Sequence, residues 1–190
     1  MKKNLVIAFW FTLVTTVMFG ILYPLAVTGL AQVLFPARAN GQLIEKNGKT
    51  VGSKIIGQTF TQPGYFHSRP SSAGTGYDAT ASGGSNLGPT NKTLIDRVKI
   101  DVQRAKAENP STPVPIDLVT ASGSGLDPEI SPAAAEFQVP HIAQERGMKE
   151  EDLRVLVQKH TKDRDLGLLG EPRVNVLELN LDLDSVHPLR

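Results

Sequence analysis

With 190 residues and a formal net charge of +1, the chain has room for one domain, or for one domain and an anchor. Two of its 20 basic residues precede Phe35 and all 19 acidic ones follow it, so the remainder sets 18 basic against 19 acidic side chains, a near-neutral balance that excludes a nucleic-acid or anionic-lipid footprint. The absence of cysteine excludes disulfides, thiolate chemistry and cysteine-ligated metal.

After a short tail, residues 1–4, the chain carries no charge from Leu5 to Phe35. About 20 apolar residues span a bilayer, so residues 5–35 read as a single N-terminal transmembrane helix. A signal peptide has an apolar stretch of only about 7–15 residues, which this run far exceeds. Pro24 lacks a backbone donor and is expected to kink the helix or to divide the span from a surface-lying extension. Thr12, Thr16 and Gly20 repeat at i, i+4 and i+8, a small-residue face suited to packing against a partner helix in the membrane. Lys2, Lys3 and the amino terminus favour a cytoplasmic start, while Arg38, Lys46, Lys49 and Lys54 pull the other way. Charge counting leaves the orientation open.

Residues 36–190 show no repeat period and read as one soluble domain. Residues 51–60 suit a short strand, and 61–89, rich in Gly, Ser, Pro and Thr, form a long loop. The clearest helix runs from Thr90 to Ala107, with Leu94, Ile95, Val98, Val102 and Ala105 on one arc and Thr90 or Asn91 as its cap. Pro110, Pro113 and Pro115 then enforce an extended connection, and residues 114–120 suit a strand. Ser131-Pro132 is a helix start, and Pro140 should kink or end that helix. Leu153, Leu156 and Val157 mark a second short helix, with Glu150, Glu151 and Asp152 at its positive end. Residues 174–183 alternate apolar and polar like a half-buried strand. This irregular mixture places the domain in the α+β class, or in a loosely built α/β class.

Chemistry is harder to find. Gly83 and Gly88 have the Walker spacing, but Pro89 stands where the phosphate-binding lysine belongs, so Ser82, Gly83, Gly84, Ser85 and Asn86 read better as a turn feeding a helix. Ser124 is flanked directly by glycines, unlike the serine of a nucleophile elbow. His67, His141, His160 and His187 are too scattered for a metal pattern. His67 is the most interesting of them, because Tyr65, His67 and Arg69 crowd aromatic and cationic groups into one loop. Asn91-Lys92-Thr93 matches a glycosylation acceptor, a pattern common by chance.

Seven ordered stretches together carry a resemblance: YP at 23–24, ANGQLI at 39–44, VGSKIIGQTF at 51–60, YFHSRPSSAG at 65–74, SGGSNLGPTN at 82–91, DLVTASGSGLDPEISPAAA at 117–135 and GEPRVNVLELNLDLD at 170–184. They resemble the C subunit of the Kdp potassium-transporting P-type ATPase, over almost the whole length. His141 departs from that pattern, which has Arg after Gln-Val-Pro, and Glu129 falls at a variable position. The resemblance implies a bacterial inner-membrane complex that imports K+ at the expense of ATP. Its channel-like and P-type ATPase subunits handle K+ and ATP/Mg, and a very small accessory subunit supports them.

By the same resemblance this chain is a non-catalytic accessory subunit with no cofactor or metal of its own, touching membrane lipid and its partner subunits. The family is also described as a catalytic chaperone that raises the ATP affinity of the ATPase subunit. Candidate partner contacts are Tyr65, His67, Arg69 and Asp127, and the loop Ser82–Asn86 is a candidate partner or nucleotide contact. An amino terminus in the cytoplasm would put the soluble domain outside, where ATP is absent. The alternatives are a membrane-anchored extracytoplasmic enzyme using His67 or Ser124, and a direct nucleotide-binding module.

Overall fold

The computed structural model describes residues 1–189, which divide into two compact units, residues 1–51 and residues 52 onward. In the first unit one continuous helix covers Lys2–Leu34 and is long and apolar enough to cross a membrane. Its parts are α1 (Lys2–Val17), a π-helical turn (Met18–Leu22) and α2 (Tyr23–Leu34). At 1.5 Å per residue its 33 residues extend about 50 Å, well beyond a hydrocarbon core of about 30 Å. The wider turn has a local cause. Pro24 has no N–H to donate and its ring crowds the carbonyl four residues back, so the helix widens just before it, with the Tyr23 N–H reaching Met18 O. The helix therefore continues through Pro24 by changing its winding.

The short α3 (Pro36–Ala39) follows, fastened by a reciprocal amide pair between Gln32 and Asn40, both bonds 3.2 Å. Then comes a hairpin of β1 (Leu43–Lys46) and β2 (Lys49–Ser53). Asn47 and Gly48 take φ of 53° and 72°, the left-handed pair that a two-residue hairpin turn demands and that Asn-Gly supplies at least cost.

In the second unit a small antiparallel sheet, order β3-β5-β4, is packed by three helices. β3 (Glu129–Ile130) pairs Ile130 with Val174 of β5 (Arg173–Asn175), and β4 (Thr161–Lys162) pairs Thr161 with the same Val174. Phe66, Ile130, Val139, Ile142, Leu153, Val174, Val176, Leu179 and Leu183 fill the core. α5 (Pro132–Arg146) is the central helix, buried on a broad face that includes Ala134, Phe137, Val139, Ile142 and Ala143. Ser131 caps it by accepting the Ala134 N–H at 3.0 Å, and Gly147 ends it at φ 64°. Pro140 does not end α5, which runs six residues further because tertiary packing outweighs one missing hydrogen bond. α6 (Glu150–His160) carries its three acids in the first turn, as its charge pattern predicts.

Other expectations change. The 51–60 strand stops at Ser53. Gly57 instead approaches a loop so closely that a Cβ there would lie 2.5 Å from Asp127 O, and its N–H donates to Leu126 O at 2.8 Å. Residues 114–120 hold a 3-10 turn (Ile116–Leu118) rather than a strand. Pro113 and Pro115 supply no N–H, and Asp117 spends its carboxylate on the Ser131 N–H at 2.8 Å. The 174–183 strand is only β5 long, and from Val176 the chain becomes α7 (Val176–Val186). Asn175 caps α7 by accepting the Glu178 N–H at 3.0 Å, and the buried set Val176, Leu179, Asn180 and Leu183 has helical spacing. α4 (Lys92–Glu108) forms as expected, capped by Asn91, yet only Ala105 of its apolar arc is buried.

On α7, Asp182 accepts from Lys159 Nζ at 2.7 Å and contacts His160 Nε2 at 2.8 Å, which hold its carboxyl down at about 2. A carboxyl depressed in the folded state stabilises above its ordinary value of 3.8 and loses that contribution as pH falls toward about 2. Asp182→Asn should therefore flatten the acid limb of a stability–pH curve between those values, by about 0.5–1 kcal/mol because its main partner, Lys159, is largely exposed and screened by solvent. Chemical denaturation at stepped pH measures it.

Candidate functional site

Residues 66–70 run beside the core helices with no strand next to them, so their buried backbone groups need other partners. Two amide side chains provide them. Asn180 on α7 accepts the Phe66 N–H and donates to Phe66 O, both at 2.9 Å. Gln138 on α5 accepts the His67 N–H at 2.8 Å and donates to His67 O at 3.2 Å. Side chains from two helices thus imitate the edge of a neighbouring strand.

Tyr65 and Arg69 are fixed on either side of this clamp. The Tyr65 hydroxyl donates to Asp184 at 2.9 Å, and the Arg146 guanidinium lies 4.8 Å from its ring centre. Burial, and then the hydrogen bond to Asp184, raise the Tyr65 hydroxyl above its ordinary 10.0, so it stays a neutral donor. Arg146, whose side chain is fully buried, also donates to Gly64 O at 2.6 Å, His187 O at 2.5 Å and Asp184 at 2.9 Å. Arg69 pairs with Asp127 at 3.1 Å, and its own carbonyl accepts from the Tyr77 hydroxyl. The other Asp127 oxygen accepts the Glu129 N–H at 3.0 Å, tying this loop to β3.

A cleft of about 510 Å³ opens beside the segment, lined in part by Phe60, His67, Arg69, Asp101, Arg104 and His141. His67 Nδ1 is 2.8 Å from the Phe60 carbonyl, so that nitrogen carries the proton. Ser124 is not among the lining residues, and its hydroxyl accepts the Leu126 N–H at 3.1 Å. His67 and Ser124 therefore serve different loops. Among the described residues, no three of His, Asp and Glu are placed to hold a metal ion.

The Ser82–Asn86 turn lies away from the cleft, packed on the second small-residue loop. Ser124 O accepts both the Ser82 hydroxyl at 3.0 Å and the Gly83 N–H at 2.8 Å. A phosphate cradle needs several free N–H groups converging on one point, and here the Gly83 donor is already spent. Backbones meet closely at this junction: a Cβ on Gly84 would sit 3.1 Å from Gly123 O. Gly125, at φ 67°, would place one 2.7 Å from both Ala73 N and Gly83 O. Gly125→Ala should cost about 1–3 kcal/mol through the left-handed backbone and the collision together. Faster hydrogen exchange at the Gly83 amide is the accompanying readout.

Of the residues singled out from sequence, the fold brings Tyr65, His67, Arg69 and Asp127 into one linked region, with Ser82–Asn86 on the adjoining loop pair. Thr12, Thr16 and Gly20 belong to the first unit, where α1 has no buried residue. Sequence reasoning missed Gln138, Arg146 and Asn180. For Gln138 and Asn180 the signal was a polar side chain flanked by apolar ones in an otherwise buried helix, as in Phe137-Gln138-Val139 and Leu179-Asn180-Leu181, whereas Arg146, between Glu145 and Gly147, had no such signal.

The family described as K+-transporting ATPase, c chain (KdpC) matches residues 5–185. A Koribacter versatilis protein named potassium-transporting ATPase KdpC subunit is 61% identical over 189 residues, covering 100% of this chain and 98% of the relative. Proteins of the same name from Rhodopseudomonas palustris and Acidobacterium capsulatum are 56% and 58% identical, covering 97% and 93% of this chain and 99% and 95% of their own lengths.

Proposed function

The chain belongs to the KdpC family of K+-transporting ATPase c chains, and from that premise we propose that it is the non-catalytic accessory subunit of an ATP-driven potassium importer. The observation that carries this reading is the match along 5–185, apolar helix and folded unit alike. In this reading the Lys2–Leu34 helix anchors the chain in the bacterial inner membrane, with Thr12, Thr16 and Gly20 facing a partner helix. Channel-like and P-type ATPase subunits, with a very small accessory subunit, are its partners, and they handle K+ and ATP/Mg. The amino terminus lies in the cytoplasm and the folded unit outside.

The geometry favours a positioning role over chemistry. Tyr65, Arg69 and Asp127 are committed to internal hydrogen bonds that stiffen one surface region. Ser82–Asn86 forms a shaped contact surface whose Gly83 donor is already engaged, which favours a protein partner over a nucleotide. Any effect on ATP affinity then acts through the partner subunits rather than by contact with ATP. Deleting this chain while its partners are expressed should abolish K+ uptake at low external K+ and reduce co-purification of the remaining subunits. Uptake and assembly that survive the deletion would refute the role.

A further inference from the structure

Between β4 and β5 the chain projects a hairpin whose tip carries Leu166, Leu168 and Leu169, exposed at 90%, 81% and 62%. The tip is built, not loose. Asp165 and Leu169 exchange backbone hydrogen bonds of 2.8 and 2.9 Å, and the Gly167 and Leu168 N–H groups donate to Arg164 O and Asp165 O. Leu166 takes φ 55°, a conformation its Cβ disfavours, followed by Gly167 at 75°. Ion pairs brace the stem: Arg164–Glu171 at 2.5 Å, Arg173–Asp165 at 3.0 Å, and Arg173–Glu129 at 3.2 Å, which ties it to β3. A backbone that accepts steric cost in order to hold three leucines in water marks a binding element.

The charges around the tip decide what it meets. Lys162, Arg164 and Arg173 are balanced by Asp163, Asp165 and Glu171, and the tip carries no Trp or Tyr. Interfacial lipid binding adds attraction of basic side chains to anionic headgroups to the burial of an apolar face, and this neutral finger, with only three apolar side chains, lacks that electrostatic part. An apolar knob with a collar of both signs fits a protein pocket whose rim alternates in charge. We infer that the Leu166–Leu169 tip seats in an apolar socket on another subunit of the same potassium-transporting ATPase. This inference rests on the accessory-subunit reading above.

The test uses the full chain co-expressed with its partner subunits in membranes. With the photo-reactive p-benzoylphenylalanine replacing Leu168, illumination should yield an adduct with one of those co-expressed subunits. The triple change Leu166→Ser, Leu168→Ser, Leu169→Ser should weaken retention of the partners on the order of tenfold, as for a loss of interface anchors. The leucines are exposed, so the melting temperature should stay unchanged. Should the triple variant unfold, the adduct alone decides. Adducts only with lipid, or none with a subunit while the complex co-purifies, would overturn the inference. Loss of uptake on deleting the chain, with wild-type assembly of the serine variant and no subunit adduct, overturns the hairpin inference alone. Uptake that survives the deletion overturns the accessory reading itself.

Discussion

Replacing Arg146 with methionine should destabilise the folded unit by about 3–5 kcal/mol, the cost of removing one partner from a buried ion pair. The side chain has no exposed surface and holds three carbonyl or carboxylate acceptors between 2.5 and 2.9 Å, from Gly64, His187 and Asp184. Methionine fills comparable volume but donates nothing, so Asp184 becomes a half-buried carboxylate without its cation. Arg69–Asp127 makes the contrast. Both partners are nearly a third exposed, and neutralising that pair should cost about 1 kcal/mol or less. Denaturant melts of the full chain in detergent measure both, and an Arg146→Met loss below about 1 kcal/mol would contradict the network as described.

Asn180→Leu should cost about 2–4 kcal/mol, because it orphans the Phe66 N–H and C=O together, each at roughly 1–3 kcal/mol. Leucine keeps the branching and heavy-atom count of asparagine but is bulkier, so about 1 kcal/mol or more of the loss comes from overpacking at this fully buried site and the rest from the hydrogen bonds. Phe66 is itself fully buried and leaves water no easy route to replace the amide. Gln138→Leu acts one residue along the same segment, on His67, and the two losses should not add, since either one frees the strand-like segment. A further expected readout is faster amide exchange at Phe66 and His67, with the β1–β2 hairpin unaffected. Exchange unchanged at those two amides would contradict the clamp.

The long apolar helix was legible because an uncharged run of that length favours helix throughout, and α4, α5 and α6 followed from caps, prolines and first-turn acids. The 174–183 segment misled because Leu177, Leu179, Leu181 and Leu183 satisfy period two, while Val176, Leu179, Asn180 and Leu183 satisfy the helix. Asn175, with Glu178 three residues on, was the capping signal that would have decided it. Lys46-Asn47-Gly48-Lys49 was an equally readable hairpin turn that went unused.

The candidate surface was legible in its residues and not in its construction. Tyr65, His67 and Arg69 stand out as a crowded loop, but nothing local announces that amides 71 and 114 positions further along will hold its backbone. Such pairings form only when α5 and α7 pack on the same core, and non-local contacts leave no periodic trace in sequence. The two small-residue loops show the same limit. Each looks like a flexible turn by itself, and their joint role emerges from the close approach of Gly84 to Gly123 and of Gly125 to Gly83.

The most direct test of the account is the side of the membrane on which the folded unit stands. The chain has no cysteine, so Gln103→Cys on the exposed face of α4 gives a single thiol for a membrane-impermeant maleimide. In intact spheroplasts the Gln103→Cys chain should be labelled without permeabilisation, and a Lys3→Cys chain only after it. The opposite pattern would place the folded unit beside the ATP and contradict a subunit that works from the side where the ion enters.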